Sequence, residues 1–201
     1  VIYTKIFLHL FDMPMQFSVI FQMTSYIVLG GVGAVLFWAE IKEGIALWRE
    51  YPVKNGTFFL GTFILDILLS NLAYLPIMYL NPDYQSVNEH SVAELQGKFP
   101  ALFLIIALGV MGPVTEEVIF RFMPICLTEK KMKKMIGVLV SAIVFMLIHI
   151  NGFTAEEFLY YIPMFVTGVI YGIVTVISRN VTIPMLLHIM NNLPAILFGI
   201  L

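Results

Sequence analysis

The stretch MPMQFSVIFQMTSYIVLGGVGAVLFWA, residues 13–39, contains no Asp, Glu, Lys or Arg. As an α-helix, residues 15–38 of this stretch would rise by about 36 Å, enough to cross a hydrocarbon core of roughly 30 Å. Within lipid the backbone polar groups must be satisfied internally, which favours a helix over an open strand. The stretch therefore predicts a transmembrane helix and an all-α membrane fold.

The composition of the whole chain supports this prediction. Of its 201 residues, 60% are hydrophobic and only 12% are charged, whereas soluble domains average roughly 45–50% and 25%. A globule of this length has no core large enough to bury so much apolar surface. The composition therefore excludes an ordinary soluble enzyme and indicates a protein that lies in the lipid bilayer. The formal net charge is −2 and no basic face stands out, so nucleic acid is not an expected partner. The single Cys126 excludes an internal disulfide and a cysteine-based metal cluster.

Further apolar windows predict a polytopic bundle of about six transmembrane helices, preceded by an N-terminal stub (1–11). The five windows after 15–38 are 57–80, 99–128, 135–151, 158–178 and 181–201. Because the chain contains no repeat, linker or low-complexity tract, we expect a single membrane domain, 1–201, with a motif-bearing catalytic core at 99–201. The chain does not begin with Met and ends in an apolar run, so we expect it to be trimmed at one or both ends.

The distribution of Lys and Arg predicts the orientation of the bundle. The loops on one side hold three, four and one of these residues, and those on the other side hold one and none (40–56, 129–134 and 179–180 against 81–98 and 152–157). Cytoplasmic loops carry the excess of Lys and Arg. The KKMKK loop (130–134) is therefore expected in the cytoplasm and the C-terminal end at Leu201 outside.

Three charges lie together within the third predicted span, in PVTEEVIFRF. Charged residues at this depth cost roughly 2.5–3.5 kcal/mol each on insertion scales, so they usually carry a function. Glu117 and Arg121 are four residues apart and share a helix face, which predicts an ion pair. Glu116 is rotated by about 100° from Glu117 and by about 140° from Arg121. It is therefore expected to point elsewhere, beside a kink at Pro113; the alternative is a single structural cluster of all three charges.

Two later spans carry histidines with a neighbour one turn away. In FMLIH, the ring of Phe145 is placed to pack against His149. In LLHIMNN, His188 and Asn192 share a face and would suit an oxyanion hole, or they would simply bond helix to helix. Each signal alone is weak, but their convergence with Glu116 in one site is the economical interpretation.

These motifs together resemble one family. EEVIFR (Glu116–Arg121), FMLIH (Phe145–His149) and HIMNN (His188–Asn192) are similar to the EExxxR, FxxxH and HxxxN motifs of the CPBP intramembrane endopeptidases, also called Abi or CAAX-protease-like proteins. The resemblance implies a protease whose site lies in a cavity among the helices.

By the family's motifs, Glu116 and His149 would activate the attacking water, while His188 and Asn192 would stabilise the oxyanion. Glu117, Arg121 and Phe145 would be supporting residues. The resemblance further implies a bacterial plasma membrane, a peptide or membrane-protein substrate, and a role in peptide-signal or bacteriocin processing or self-immunity.

From the sequence, we expect no cofactor. Zinc is the alternative, with Glu116, His149 and His188 as its ligands, since a catalytic zinc site usually has three protein ligands. That arrangement would use the evident general base as a ligand and leave the oxyanion to Asn192 alone, so a glutamic mechanism is favoured over a metallopeptidase.

Two other functions fit parts of the sequence. A non-catalytic membrane immunity or regulatory protein would bind its partners through its helices and use the motifs only for packing. A proton- or ion-coupled carrier would explain Asp66 in the middle of the second span, but the chain has no inverted repeat, which argues against a carrier. For Asp66 we favour a structural role. The sequence does not determine the oligomeric state.

Overall fold

The computed structural model describes residues 15–86, 92–93, 95, 98–126, 130–150, 152 and 154–200. The predicted N-terminal stub, 1–11, lies outside the described residues. The part of the chain that is described folds into helices and contains no strand. The predicted all-α class is therefore confirmed.

Eight helices follow one another along the described chain. They are α1 (Met15–Leu36), α2 (Trp38–Glu50), α3 (Pro52–Leu80), α4 (Ala101–Cys126), α5 (Lys131–His149), α6 (Ala155–Tyr160), α7 (Ile162–Ser178) and α8 (Thr182–Ile200).

The lengths and hydropathies of these helices fit a polytopic membrane protein. Four spans are long and apolar enough to cross a bilayer: α3, α4, α5, and α6 with α7 taken together. The bent pair α1–α2 makes a fifth if it is counted as one span. The shorter apolar helix within α8, Thr182–Leu197, occupies the place of the predicted sixth crossing. One face of α3 shows what covers these helices. It exposes an unbroken apolar stripe at four-residue spacing, formed by Leu60, Ile64, Leu68 and Leu72, which is the surface that lipid solvates.

Two of the segments counted as loops for the orientation contain helix. The mixture of Trp48, Tyr51 and balanced charges in 40–56 favours an interfacial helix, and most of this segment is α2, which turns by 75° from α1. In the KKMKK loop, Lys131–Lys134 are the first turn of α5. The predicted span began only after these lysines, whereas the helix includes them. Lysine tolerates that position because its apolar stem packs along the helix while its ammonium group reaches water.

The backbone of α4 changes register twice around its charged residues. Ile105–Met111 and Val118–Cys126 are π-helical, and Gly112–Glu117 between them is α-helical. The N–H of Gly112 donates to the carbonyl of Ala107, five residues earlier, and Pro113, which has no N–H to donate, follows directly. At Pro113, where a kink was predicted, the helix thus changes from π to α. Such π-helical segments are rare and are found mostly at functional sites.

Close packing joins α7 to α5, the helix that carries FMLIH. On α7, Gly168 and Gly172 are four residues apart and face α5. A Cβ on Gly168 would lie 3.0 Å from the Cα of Ala142, and one on Gly172 would lie 2.8 Å from a methyl carbon of Val138. Small residues at this spacing allow helix backbones to approach closely in membranes. The fully buried Tyr171 lies between the two glycines.

We expect Gly168→Ala to destabilise the protein by roughly 1–3 kcal/mol, because the added methyl group meets backbone that cannot move aside. Gly61→Ala on α3 is the matched control, since a Cβ there has no neighbour within 4 Å. Thermal unfolding of the detergent-solubilised proteins provides the comparison. Equal melting temperatures for Gly168→Ala and the wild type would contradict the proposed close contact.

Candidate active site

The charged residues of α4 meet α8 in the interior of the bundle. Arg121 Nη1 lies 3.1 Å from Glu117 Oε1, and both side chains are fully buried, so the predicted ion pair is present. His188 Nδ1 lies 2.8 Å from the same Glu117 oxygen. Since a carboxylate only accepts hydrogen bonds, Nδ1 of His188 is the donor. Glu117 therefore joins the two helices, a role that its spacing to Arg121 did not reveal.

Glu116 points away from Arg121, as predicted from its helical angle. Its Oε2 lies 3.6 Å from His188 Nε2, and its Oε1 accepts a hydrogen bond of 3.3 Å from the hydroxyl of Tyr26 on α1. The residue is 8% exposed. His188 thus stands between two carboxylates, with one ring nitrogen toward each.

His149 completes the group from the end of α5. Its Nδ1 lies 2.7 Å from the carbonyl of Phe145, which can only accept, so in a neutral ring Nε2 is the acceptor nitrogen. The ring of Phe145 contacts both imidazoles, at 4.8 Å from His149 and 5.7 Å from His188. His149 also interacts electrostatically with Glu116 and with His188. The structure therefore brings Glu116, His149 and His188 into one region of the interior.

A cover of aromatic residues explains how a helix end remains buried. Tyr161, between α6 and α7, lies with its ring 6.4 Å from that of His149 and is itself buried. On the same side, Tyr84 donates a 2.5 Å hydrogen bond to Glu157 of α6. Partial burial raises the pKa of the Tyr84 phenol, and the hydrogen bond with Glu157 raises it further. Simple counting along the span placed His149 near the outer surface; the buried ring of Tyr161, which follows α6, packs against it.

Arg121 is held by aromatic faces as well as by Glu117. Its guanidinium carbon lies 4.3 Å from the ring centroid of Phe145 and 5.8 Å from that of Tyr171. Contact with the negative face of a ring is favourable for a cation, and more so where water is excluded. Phe145 therefore packs against Arg121 and His188 as well as against His149, which is more than its predicted contact with His149 alone.

The two asparagines of α8 have different partners. Asn192 directs its amide to the carbonyl of Leu108 on α4, at 3.4 Å. Asn191 donates instead to Asp66 Oδ2 and to the hydroxyl of Tyr171, both at 2.7 Å. His188 and Asn192 thus face α4, while Asn191 faces α3 and α7. The two asparagines therefore lie on different faces of α8.

The zinc alternative would use Nε2 of both histidines. Among the residues that the structure describes, no three His, Cys, Asp or Glu side chains are grouped to hold a metal ion. The Nδ1 of His188 is bound to Glu117 and that of His149 to a backbone carbonyl. A zinc-ligating histidine commonly makes such a bond with its other ring nitrogen, so zinc with Glu116, His149 and His188 stays an alternative to a metal-free site.

Sequence reasoning missed the tyrosines around the site: Tyr26, Tyr161 and Tyr171. Their signal was available in principle, because a tyrosine inside an apolar span must find a partner for its hydroxyl. Tyr26 and Tyr171 do so on carboxylates of other helices, Glu116 and Asp66 respectively.

Comparison with known proteins agrees with the motifs. Residues 98–194 match the model of a protein family described as "Type II CAAX prenyl endopeptidase Rce1-like". No curated protein and no solved structure matches the chain. The matched region contains all three motifs, so the resemblance to CAAX-protease-like proteins is confirmed. Residues 98–194 are thus similar to this family, which supports an intramembrane endopeptidase.

Replacing Glu117 by Gln should destabilise the fold strongly, by roughly 3–5 kcal/mol, because it leaves Arg121 buried without its counter-charge. Glu43→Gln on the exposed face of α2 should change the stability by less than about 0.5 kcal/mol. Urea or thermal unfolding in detergent measures both variants. A Glu117→Gln protein as stable as Glu43→Gln would show that the ion pair does not support the bundle.

Proposed function

We propose that this protein is an intramembrane endopeptidase in which Glu116 and His149 activate a water molecule for attack on a peptide carbonyl. One observation supports this most directly. Glu116 is a buried carboxylate that lies 3.6 Å from Nε2 of His188, while Arg121 pairs with Glu117 instead. A structural ion cluster would be expected to use the arginine for both glutamates. A carboxylate that lies beside an imidazole, and whose neighbouring arginine pairs elsewhere, is suited to proton transfer.

Glu116 and His149 act together in the first step. The carboxylate of Glu116 accepts a proton from water as the oxygen attacks the carbonyl carbon, and the lone pair on Nε2 of His149 orients that water or takes the second proton. Glu116 then returns its proton to the nitrogen of the leaving amine as the C–N bond breaks. General acid–base catalysis of this kind contributes about 10²–10⁴-fold to a rate.

The developing oxyanion requires hydrogen-bond donors from the facing helix. His188 presents Nε2 toward Glu116, and when this nitrogen carries a proton it donates into the space where the substrate carbonyl would lie. Asn192 lies one turn further along α8, and its single contact, to Leu108, is long, so its amide is available to donate as well. In a site that excludes water, fixed donors of this kind stabilise the charge strongly.

Glu117, Arg121 and Phe145 act as supporting residues in this proposal. Glu117 fixes Nδ1 of His188 and thereby directs Nε2 of that ring. Arg121 neutralises Glu117, and the ring of Phe145 separates the two imidazoles. These contacts set the orientation of the reacting groups and do not take part in bond breaking.

The expected substrate is a peptide or a membrane protein whose cleaved segment reaches the interior of the bilayer. The matched family is named for a CAAX prenyl endopeptidase, so a prenylated CAAX peptide is the first compound to assay. We further propose a bacterial plasma membrane with KKMKK in the cytoplasm. Peptide-signal or bacteriocin processing, or self-immunity, is the proposed setting.

We expect Glu116→Gln to lower the rate of peptide cleavage by at least about 100-fold while the protein inserts and folds as the wild type does. The change removes the proton acceptor and keeps the size of the side chain. Comparing the membrane peptidomes of cells that carry wild type, Glu116→Gln or Glu43→Gln detects the products without knowledge of the substrate. Identical peptidomes for wild type and Glu116→Gln would favour a non-catalytic protein that binds its partners.

Without a metal in the mechanism, cleavage should persist in the presence of a strong zinc chelator. Elemental analysis of the purified, active protein should find less than one zinc per chain. Loss of activity with chelator that added zinc restores would instead favour the metallopeptidase alternative. A chelator-sensitive zinc peptidase assayed in parallel confirms that the chelator works.

A further inference from the structure

Asp66 lies at the centre of a second polar cluster, on the opposite side of α8 from the two glutamates. The residue is 1% exposed in the middle of the apolar helix α3. Its Oδ1 accepts from the hydroxyl of Thr167 at 2.8 Å and from that of Ser70 at 3.3 Å. Its Oδ2 accepts from the hydroxyl of Tyr171 at 3.1 Å and from the amide of Asn191 at 2.7 Å. Three helices, α3, α7 and α8, thus meet on one carboxylate.

The cluster contacts the candidate active site at two points, both on or against α8. Asn191 adjoins Asn192 in the chain and lies three residues after His188. The ring of Tyr171 packs on the imidazole of His188, with the centroids 6.0 Å apart. On the side of His188 that faces away from the glutamates, its position is therefore set by Tyr171 and Asn191, both of which bind Asp66.

We propose that Asp66 is a positioning residue that fixes the rotation of α8, so that His188 and Asn192 face the two glutamates. This inference rests on the proposed roles of His188 and Asn192. On a helix, these two residues lie about 60° and 100° around the axis from Asn191. Once Asp66 holds Asn191, both side chains must point toward α4.

The expected consequence follows from geometry. An atom about 6 Å from the helix axis moves by about 1 Å for each 10° of rotation, and a misplacement of about 1 Å costs on the order of 10²-fold in rate. Asp66 lies on α3, outside the family-matched residues 98–194. The positioning of the site would thus depend on a helix that carries none of the motifs.

The carboxylate and the amide can be exchanged between the two helices. In Asp66→Asn/Asn191→Asp, the carbonyl oxygen of the new amide accepts from Ser70 and Thr167, and its nitrogen donates to the new carboxylate. Tyr171 then donates to residue 191 and accepts from residue 66, so every hydrogen bond of the cluster is kept with its direction reversed between α3 and α8. Each single variant, by contrast, places two amides or two carboxylates against each other.

The readout is the imidazole spectrum of His188 in protein labelled with ¹⁵N-histidine. The chain has four histidines, and His188→Gln assigns the signal. Asp66→Asn and Asn191→Asp should each shift the His188 resonances, and the double exchange should return them to the wild-type positions. Thr62→Val, a buried change on the same helix and outside the cluster, should leave them unchanged.

With a cleavable peptide, each single variant should lower kcat by about 10- to 100-fold with KM changed by less than about threefold, and the exchange should restore most of kcat.

Unchanged His188 resonances in both single variants, or no recovery in a folded double exchange, would overturn the proposal. If Asp66→Asn does not fold, Ser70→Ala removes one donor and keeps the carboxylate; it should shift the same resonances by less, and no shift would again count against positioning. The spectrum does not depend on turnover. A wild type without peptidase activity but with the expected spectra would refute the proposed function alone, whereas Glu116-dependent cleavage with unresponsive spectra would refute only the role of Asp66.

Discussion

The structure depends on one constraint, the burial of ionised groups in a bundle whose outer surface is lipid. Glu117 meets this constraint directly, because a single oxygen of its carboxylate contacts both Arg121 and His188. The guanidinium is further covered by the faces of Phe145 and Tyr171. An isolated buried charge would cost several kcal/mol. The helices that supply these partners are therefore required to meet at this point, and the candidate active site is built around it.

The same arrangement leaves one acidic group with a different environment. Since Glu117 takes the arginine, the adjacent Glu116 instead accepts a hydrogen bond from Tyr26 and lies beside His188. Two neighbouring carboxylates on one helix thereby acquire distinct surroundings, one beside Arg121 and the other beside residues of α1 and α8. The register of α4 assists this separation, because the α-helical segment Gly112–Glu117 lies between two π-helical ones. The division of roles follows from helical angle and backbone register together.

The N-terminal helices contribute more than membrane anchoring. Tyr26 on α1 contacts Glu116, and Asp66 on α3 joins α7 and α8. Neither residue belongs to the family-matched region. The hydrogen bonds from three helices to Asp66 support the structural role expected for this residue over a carrier function. A carboxylate with all its hydrogen-bonding positions occupied by neutral donors is suited to holding helices together.

The sequence by itself determined the membrane fold, the helix order and the residues of the candidate site, because these depend on local hydropathy, charge and spacing along one helix. The ion pair of Glu117 with Arg121 and the contact of Phe145 with His149 are of this kind, since both join residues one turn apart. Only the tertiary structure decided that His188 lies between both glutamates, that Asn191 turns to Asp66, and that Tyr26, Tyr161 and Tyr171 surround the site. These contacts join helices that are distant in the chain. They are set by the close approach of α5 and α7 at Gly168 and by the registers of α4, which no local pattern encodes.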